Sequence, residues 1–357
     1  MNLIGMKRML TLTRQLIEAA LVVFLVCASS AAAQEFEKNI VTGGPKGTYI
    51  QIGRDLSEIE AQCGLNLNVI ESAGSLENLV AVKNRLFTQF GIVQSDVLDY
   101  VRTYSANDQD LQRSLWGVRI MFPLYNEEIH VLARSDINSI TELAGRKVAI
   151  GAKDSGTFLT ATLVLDIMRV KNAERLPVSS GDALPKLLSG EIDALFYVAG
   201  APASLFSDKT IDGGKFHLLD LDEPPLRATY THAQISGGTY PFQPDAVNTV
   251  AVKAVLMTFD YTPSKSGYHL ESCKAASDLS WLILNNLDRL RETGHPKWKD
   301  VDLSALPPGW KVSDCVKAGM ASSYQLACGP RISSPIAGNN ADTDQEYLNL
   351  LKQRLNQ

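Results

Sequence analysis

The sequence predicts an α/β protein of two lobes with a cleft between them. Three observations carry that expectation. A short apolar run, a glycine- or serine-rich turn and a helical pattern recur in that order along the chain. The repeats form two clusters, and apolar runs near residues 129–134 and 250–257 are placed to cross from one cluster to the other and back. The polar turns follow the carboxyl ends of the strands, where open α/β sheets hold their ligands.

The first unit is the strand Asn39-Ile40-Val41, the turn Thr42-Gly43-Gly44-Pro45-Lys46-Gly47-Thr48-Tyr49, and a helix with Ile50, Ile52, Leu56 and Ile59 on one face. A helix start offers unpaired N–H groups to an anion, and glycine lets the backbone approach it. A phosphate loop needs Gly-Lys-Ser/Thr, whereas Lys46 precedes Gly47 here, and no Gly-x-Gly-x-x-Gly is present. A nucleotide is therefore not expected. The second unit pairs a strand over 67–72 with a helix capped at Ser75, with Asn78 three residues on. The third is the strand 89–94, with Ser95 and Asp96 opening a helix through Leu98, Val101 and Tyr104.

Two strand-like runs, 118–122 and 129–133, are joined by Pro123-Leu124-Tyr125-Asn126-Glu127-Glu128. After a short helix over 140–144, the strand 147–151 leads to Ser155-Gly156-Thr157 and a helix with Leu159, Leu163, Ile167 and Val170 in phase, a second anion-compatible helix start. A strand over 177–179, a helix over 182–188 and a buried strand over 192–198 follow, ending at Ala199-Gly200-Ala201-Pro202. The turn Ser236-Gly237-Gly238-Thr239-Tyr240-Pro241 precedes the long apolar strand 249–257. The amphipathic helix 275–290 is expected to return to the first lobe. Residues 298–340 are rich in Pro, Gly and Ser, and a last helix is expected over 344–355. The first lobe is thus assigned residues 34–130 and 255–357, the second 131–254.

Composition supports a protein with real cores: of 357 residues, 45% are hydrophobic and 20% charged. Residues 1–33 read as a secretory signal, with Lys7, Arg8 and Arg14, an apolar run over 19–28 and cleavage after Ala33. Its removal takes the formal net charge from −5 to −7, because it carries those three basic residues against Glu18. A nucleic-acid partner is disfavoured. Export would expose Cys63, Cys273, Cys315 and Cys328 to an oxidising compartment, and four cysteines allow three pairings. Cys315 with Cys328 is the first expectation, because they are close in a tail that packs little core of its own. No Cys-x-x-Cys occurs, so neither zinc nor a redox dithiol is expected.

The candidate side chains favour binding over catalysis. Ser75, Ser95 and Ser155 sit at helix starts, but none lies in Gly-x-Ser-x-Gly, and no Ser-x-x-Lys falls at a helix start inside the cleft. A secreted serine hydrolase is the weakest alternative. His130 reads as a structural histidine on a strand, and the other histidines lack metal-ligand spacing. Glu127 and Glu128 point to opposite sides of an extended chain, one exposed and one available to the cleft. Tyr49, Tyr125, Tyr197 and Tyr240 each adjoin a glycine turn or a crossing strand.

Taken together these residues resemble the TAXI group of extracytoplasmic solute-binding proteins that serve TRAP transporters. The matching stretches are Thr42-Gly43-Gly44 with Gly47-Thr48-Tyr49, Gly74-Ser75 with Glu77-Asn78, Gln94-Ser95-Asp96, and Tyr125, Glu127 and His130-Val131 before Ala133-Arg134. Gly151 with Ser155-Gly156-Thr157, Gly190-Glu191 with Asp193-Ala194, Val198-Ala199-Gly200 and Gly238-Thr239-Tyr240-Pro241 continue the series. The resemblance implies a periplasmic-binding-protein-like fold that closes on a small organic anion, such as glutamate, glutamine or a dicarboxylate, and delivers it to a TRAP-type permease without a cofactor or metal. By position it implies Gly47, Thr48, Tyr49, Ser75, Asn78, Gln94, Ser95 and Tyr125 on the first lobe's wall. Ser155, Gly156, Thr157, Tyr197, Gly200 and Tyr240 fall to the other lobe. A ligand-sensing partner of a membrane receptor is the alternative. The sequence departs from the family pattern at Pro45-Lys46, at Ala201-Pro202-Ala203-Ser204 and in the cysteine-bearing tail beyond Lys311.

Overall fold

The computed structural model describes residues 36–328, apart from 46, 208, 209, 264 and 327. The expected signal, Lys46 and the expected helix over 344–355 lie outside the described residues. Parallel strands β1 (Asn39–Val41), β2 (Asn68–Ile70) and β3 (Thr88–Gln94) are connected by α1 (Thr48–Gln62) and α2 (Ser75–Asn84). Helices α3 (Val97–Tyr104) and α4 (Gln109–Gly117) lead into the long strand β4 (Val118–Arg134). The chain continues through β5 (Lys147–Ala149), α5 (Gly156–Ile167), β6 (Glu174–Leu176), α6 (Ser180–Leu188) and β7 (Ala194–Ala199). It then forms β8 (Phe216–Leu218), the single turn α7 (Pro224–Arg227), β9 (Thr231–Ile235) and the second long strand β10 (Val247–Phe259). Helices α8 (Gly267–Asn285), α9 (Leu287–Thr293) and α10 (Asp314–Gly319) complete the described chain.

All ten strands form one sheet in the order β2-β1-β3-β10-β4-β7-β5-β6, with β8 on β4 and β9 on β10. The two long strands hold it together. Residues 118–128 of β4 pair antiparallel with β10, and residues 128–133 pair antiparallel with β7. In β10, residues 254–258 pair with β3 and residues 247–251 with β9. Each long strand therefore belongs to both lobes.

Several sequence expectations are corrected here. The segment 123–128, expected to join two separate strands, is itself the middle of β4. Pro123 lies opposite Val255 beside a register shift, an irregularity at which a residue without an N–H is tolerated. Residues 177–179 are not a strand; β6 ends at Leu176. The segment expected as a helix over 140–144 is a 3-10 turn, Ile140–Leu143. Helix 275–290 begins earlier, at Gly267, and is interrupted at Asn286.

Apolar residues cover both faces of the sheet. In β4, Ile129, Val131 and Ala133 join one core and Leu132 another, as strand alternation requires when a sheet is covered on both sides. The first lobe's cores include Ile40, Ile52, Leu56, Phe90 and Phe122 on one face and Val41, Val82, Val93 and Val255 on the other. Helix α8 contributes Ala276, Leu279 and Ile283 to the first of these.

The disulfides are Cys63–Cys328 and Cys273–Cys315, with Cα atoms 4.5 and 5.2 Å apart. Cys315 does not pair with Cys328. Helix α10 lies against α8, where a Cβ on Gly319 would stand 2.7 Å from Ser277 Cα, and Ser277 Oγ donates to the Cys315 carbonyl at 2.7 Å. That close packing brings Cys315 to Cys273 and leaves Cys328 for the end of α1.

Candidate functional site

Three helix starts meet where the lobes face each other. Helix α1 starts after Gly47, α2 after Gly74 and α5 after Ser155. Gly74 is the residue before α2, at φ 124°, and a Cβ there would lie 3.3 Å from Gly156 N. Ser75, expected as the cap, is the first residue of the helix, and its Oγ accepts from Gln94 N at 3.0 Å. Ser155 does cap α5, accepting from Phe158 N at 3.1 Å. Leu76 N donates to Asp154 O at 3.1 Å, so the two lobes touch beside these starts.

A cavity of about 490 Å³ opens at this junction. Gly47, Thr48 and Tyr49 form one wall, Ser155, Gly156 and Thr157 another, and Gln94, Glu127 and Tyr197 also line it. A second cavity, of about 330 Å³, shares Gly47, Thr48 and Tyr197 and extends past Gly200 to Lys297.

The remaining sequence-chosen residues lie elsewhere. Asn78 Nδ2 donates to Thr42 O at 2.6 Å and Ile92 O at 2.7 Å, so it ties the ends of β1 and β3 together. Ser95 N donates to Lys253 O at 2.8 Å, and Ser95 O accepts from Trp310 Nε1 at 3.1 Å. Tyr125 is fully buried, and its hydroxyl has no hydrogen-bond partner among the described residues. Tyr240 sits in the second lobe's core, where its hydroxyl accepts from Ala203 N at 2.9 Å. That hydroxyl also lies 2.8 Å from His130 Nε2. His130 Nδ1 faces the carbonyls of Glu128 and Tyr197 at 2.9 and 3.1 Å and must donate, so Nε2 accepts the Tyr240 proton. Burial lowers the His130 pKa to about 4, so the ring stays neutral.

Glu127 and Glu128 differ sharply despite being neighbours. Glu127 is 4% exposed, lines the cavity, and accepts from the Tyr49 hydroxyl at Oε2, 2.7 Å away. Burial pushes its pKa up to about 8, against the hydrogen bonds of Tyr49 and Gln94 and with the fields of Glu128 and Asp96. The sequence expected the other member of the pair to be exposed, but Glu128 is largely covered too. Its Oε2 accepts from Ala201 N at 2.6 Å and stands 3.8 Å from Lys297 Nζ. Both faces of β4 are packed, which leaves Glu127 exposed only toward the cavity and the Glu128 side chain 13% exposed.

Lys297 is delivered by a well-anchored turn. Trp298 is fully buried and donates Nε1 to Asp55 Oδ2 at 2.8 Å, and His295 N donates to the same oxygen at 2.8 Å. The 3-10 turn Pro296–Asp300 is thereby fixed to α1, and Lys297 also pairs with Asp300 at 3.0 Å.

Sequence reasoning missed a second contact between the lobes. Asp96, buried at the start of α3, accepts at Oδ2 from Thr160 Oγ1 at 2.8 Å and from the Tyr230 hydroxyl at 3.1 Å. Burial raises the Asp96 pKa to about 6. Nothing in the local sequence marks Thr160 or Tyr230, which lie 64 and 134 residues away. Among the described residues no group of three His, Cys, Asp or Glu side chains is placed to hold a metal ion, and no helix is long and apolar enough to cross a membrane.

A family model described as the NMT1-like family matches residues 40–305. Among solved structures, the periplasmic binding protein BugD aligns with a TM-score of 0.45 at 13% identity, covering 74% of this chain and 85% of that one. A TctC solute binding protein from Polaromonas aligns with a TM-score of 0.39 at 15% identity, covering 72% and 89% respectively. The substrate binding protein of an amino acid ABC transporter aligns with a TM-score of 0.40 at 11% identity, covering 70% and 97%.

Proposed function

The chain belongs to the NMT1-like family, and from that premise we propose that it is a periplasmic solute-binding receptor rather than an enzyme, capturing a small solute that carries a carboxylate. The observation that carries this reading is the cavity flanked by the starts of α1 and α5, one from each side of the junction. First-turn N–H groups together with the Thr48, Ser155 and Thr157 hydroxyls can hold a carboxylate without an arginine. Closure follows if a ligand touching both walls favours the state in which they meet. In this reading residues 34–130 and 255–357 act as one lobe and residues 131–254 as the other. Residues 1–33 direct export, and the two disulfides suit an oxidising compartment. The TAXI-like motifs support delivery to a TRAP-type permease, with amino acids or dicarboxylates as cargo.

A thermal-shift screen of amino acids and dicarboxylates on the purified protein tests the receptor role. A ligand bound by the folded form alone must raise the melting temperature, by an amount that grows with its concentration. A protein that holds no small carboxylate as purified, and responds to none, is not this receptor.

A further inference from the structure

We propose that the lobes meet on a shared proton, held by Glu127, Gln94, Thr160 and Asp96, a chain of side chains that runs from the cavity to the junction. The inference rests on the two-lobed receptor reading and adds to it a response to pH, acid drawing the lobes together. A count of hydrogens carries it. Thr160 Oγ1, from α5, lies 2.8 Å from Asp96 Oδ2 and 3.0 Å from Gln94 Oε1, and Gln94 is hydrogen-bonded in turn to Glu127. A hydroxyl supplies one hydrogen, and an amide donates only from its nitrogen end. With Gln94 Oε1 toward Thr160, the single Thr160 hydrogen is divided between Gln94 and Asp96. Turning the amide over satisfies Thr160 and Asp96 but sets Gln94 Oε1 against the Glu127 carboxylate. In either orientation the chain is one hydrogen short while both carboxyls are ionised. A proton on Asp96 completes the first arrangement, and one on Glu127 the second.

The surroundings of Asp96 favour the neutral form. Its Oδ1 is buried without a hydrogen-bond partner among the described residues, a placement far less costly for a neutral carbonyl oxygen than for half of a carboxylate. The hydroxyls of Thr160 and Tyr230 face it from the second lobe, and the acids Asp99, on its own helix, and Glu127, on β4, add negative field. Asp99 is paired with Arg102 at 3.3 Å. Lys253 on β10 accepts from Ser95 N through its carbonyl, while its charge interacts with Asp300 and Asp302. Burial accordingly raises Asp96 to about 6 and Glu127 to about 8. Parted from α5 and Tyr230, Asp96 regains water and its ordinary value of 3.8, so joining the lobes takes up a proton between 3.8 and about 6. This stabilisation of the junction is full below 3.8 and is lost as the pH rises through about 6.

Carboxyl carbon-13 NMR of the purified, ligand-free protein reads the proton, the Asp96 signal being the one absent from Asp96→Asn. Its midpoint is expected near 6, falling in Glu127→Gln, whose amide can donate to Gln94 without a proton. Small-angle X-ray scattering reads the lobes. From pH 5 to pH 7 the equilibrium should move about tenfold toward parted lobes, seen as a larger radius of gyration. Asp96→Asn, whose amide supplies the hydrogen at every pH, should keep the smaller radius throughout, and Asp99→Asn, an exposed change on the same helix, should keep the wild-type response. An Asp96 midpoint in the ordinary carboxylate range, or one unmoved in Glu127→Gln, overturns the shared proton. A wild-type radius that ignores pH, or an Asp96→Asn radius that follows it, overturns the link to the lobes. If melting curves show that Asp96→Asn does not fold, the scattering of wild type and Asp99→Asn decides alone. None of these outcomes needs a ligand, so the thermal screen judges the receptor reading separately.

Discussion

Thr160 Oγ1 lies 2.8 Å from Asp96 Oδ2, and the two residues come from opposite sides of the junction. The hydroxyl also stands 3.0 Å from Gln94 Oε1, so one proton serves two acceptors. This contact exists only while α3 and α5 are together, so it belongs to the junction between them and not to either core.

Replacing Thr160 with Val keeps the shape and removes the donor. Leaving a buried carboxylate short of one partner costs about 1–2 kcal/mol, which should appear as roughly tenfold weaker ligand binding because the binding-competent state becomes rarer. Calorimetric titration of any ligand found in the thermal screen measures it. An unchanged affinity would mean that the Asp96 contact does not contribute to closure.

Gly156→Ala should be more severe. The added Cβ would fall on the Gln94 amide oxygen and 2.9 Å from Ser75 Oγ, both across the junction. Gln94, Ser75 or the two helix starts themselves must then shift. Affinity is expected to drop by at least tenfold while the melting temperature of the ligand-free protein moves by only a few degrees, as the cores are untouched.

Glu127 gives a signed pH dependence. Its ordinary pKa of 4.5 rises to about 8 in the fold, where Tyr49, Gln94, Glu128 and Asp96 face it. Between those values the folded protein holds a proton that the unfolded chain has lost, so this group's contribution to stability is full below pH 4.5 and is lost as the pH rises through 8. Urea denaturation at pH 5, 7 and 9 should show Glu127→Gln gaining stability relative to wild type as the pH increases. A constant difference would refute the raised pKa.

Each disulfide gives its own check. Cys273–Cys315 closes a span of 42 residues and Cys63–Cys328 one of 265. Replacing Cys273 and Cys315 with Ser should cost about 2–4 kcal/mol in urea denaturation. Peptide mapping without reductant should recover Cys63 joined to Cys328.

The starts of α1, α2 and α5 were legible in the sequence because a glycine or serine directly precedes an apolar helical pattern at each. What a neighbouring side chain does there was not legible. Asn78 and Ser75 adjoin the same turn, yet both turn inward to hold strand ends, because the sheet's end also needs hydrogen bonds. The middle of β4 read as a connector because Pro123 and the polar run Asn126-Glu127-Glu128 are poor strand residues. Only pairing with β10, joined at Glu128 by β7, makes that run a strand, and the partners, Val252 opposite Glu127 and Ala199 opposite Glu128, lie far along the chain. The disulfide expectation failed for a related reason: proximity along the chain ignored the packing of α10 on α8.

Cys63 sits at the end of α1, and its partner is the last described residue. A ribosome delivers Cys63 early and Cys328 only after both long strands and α8 have emerged. Until Cys328 reaches the oxidising compartment, Cys63 has only Cys273 and Cys315 with which to pair. The bond can therefore form only once residue 328 is present, and a chain truncated before it would carry an odd thiol at Cys63.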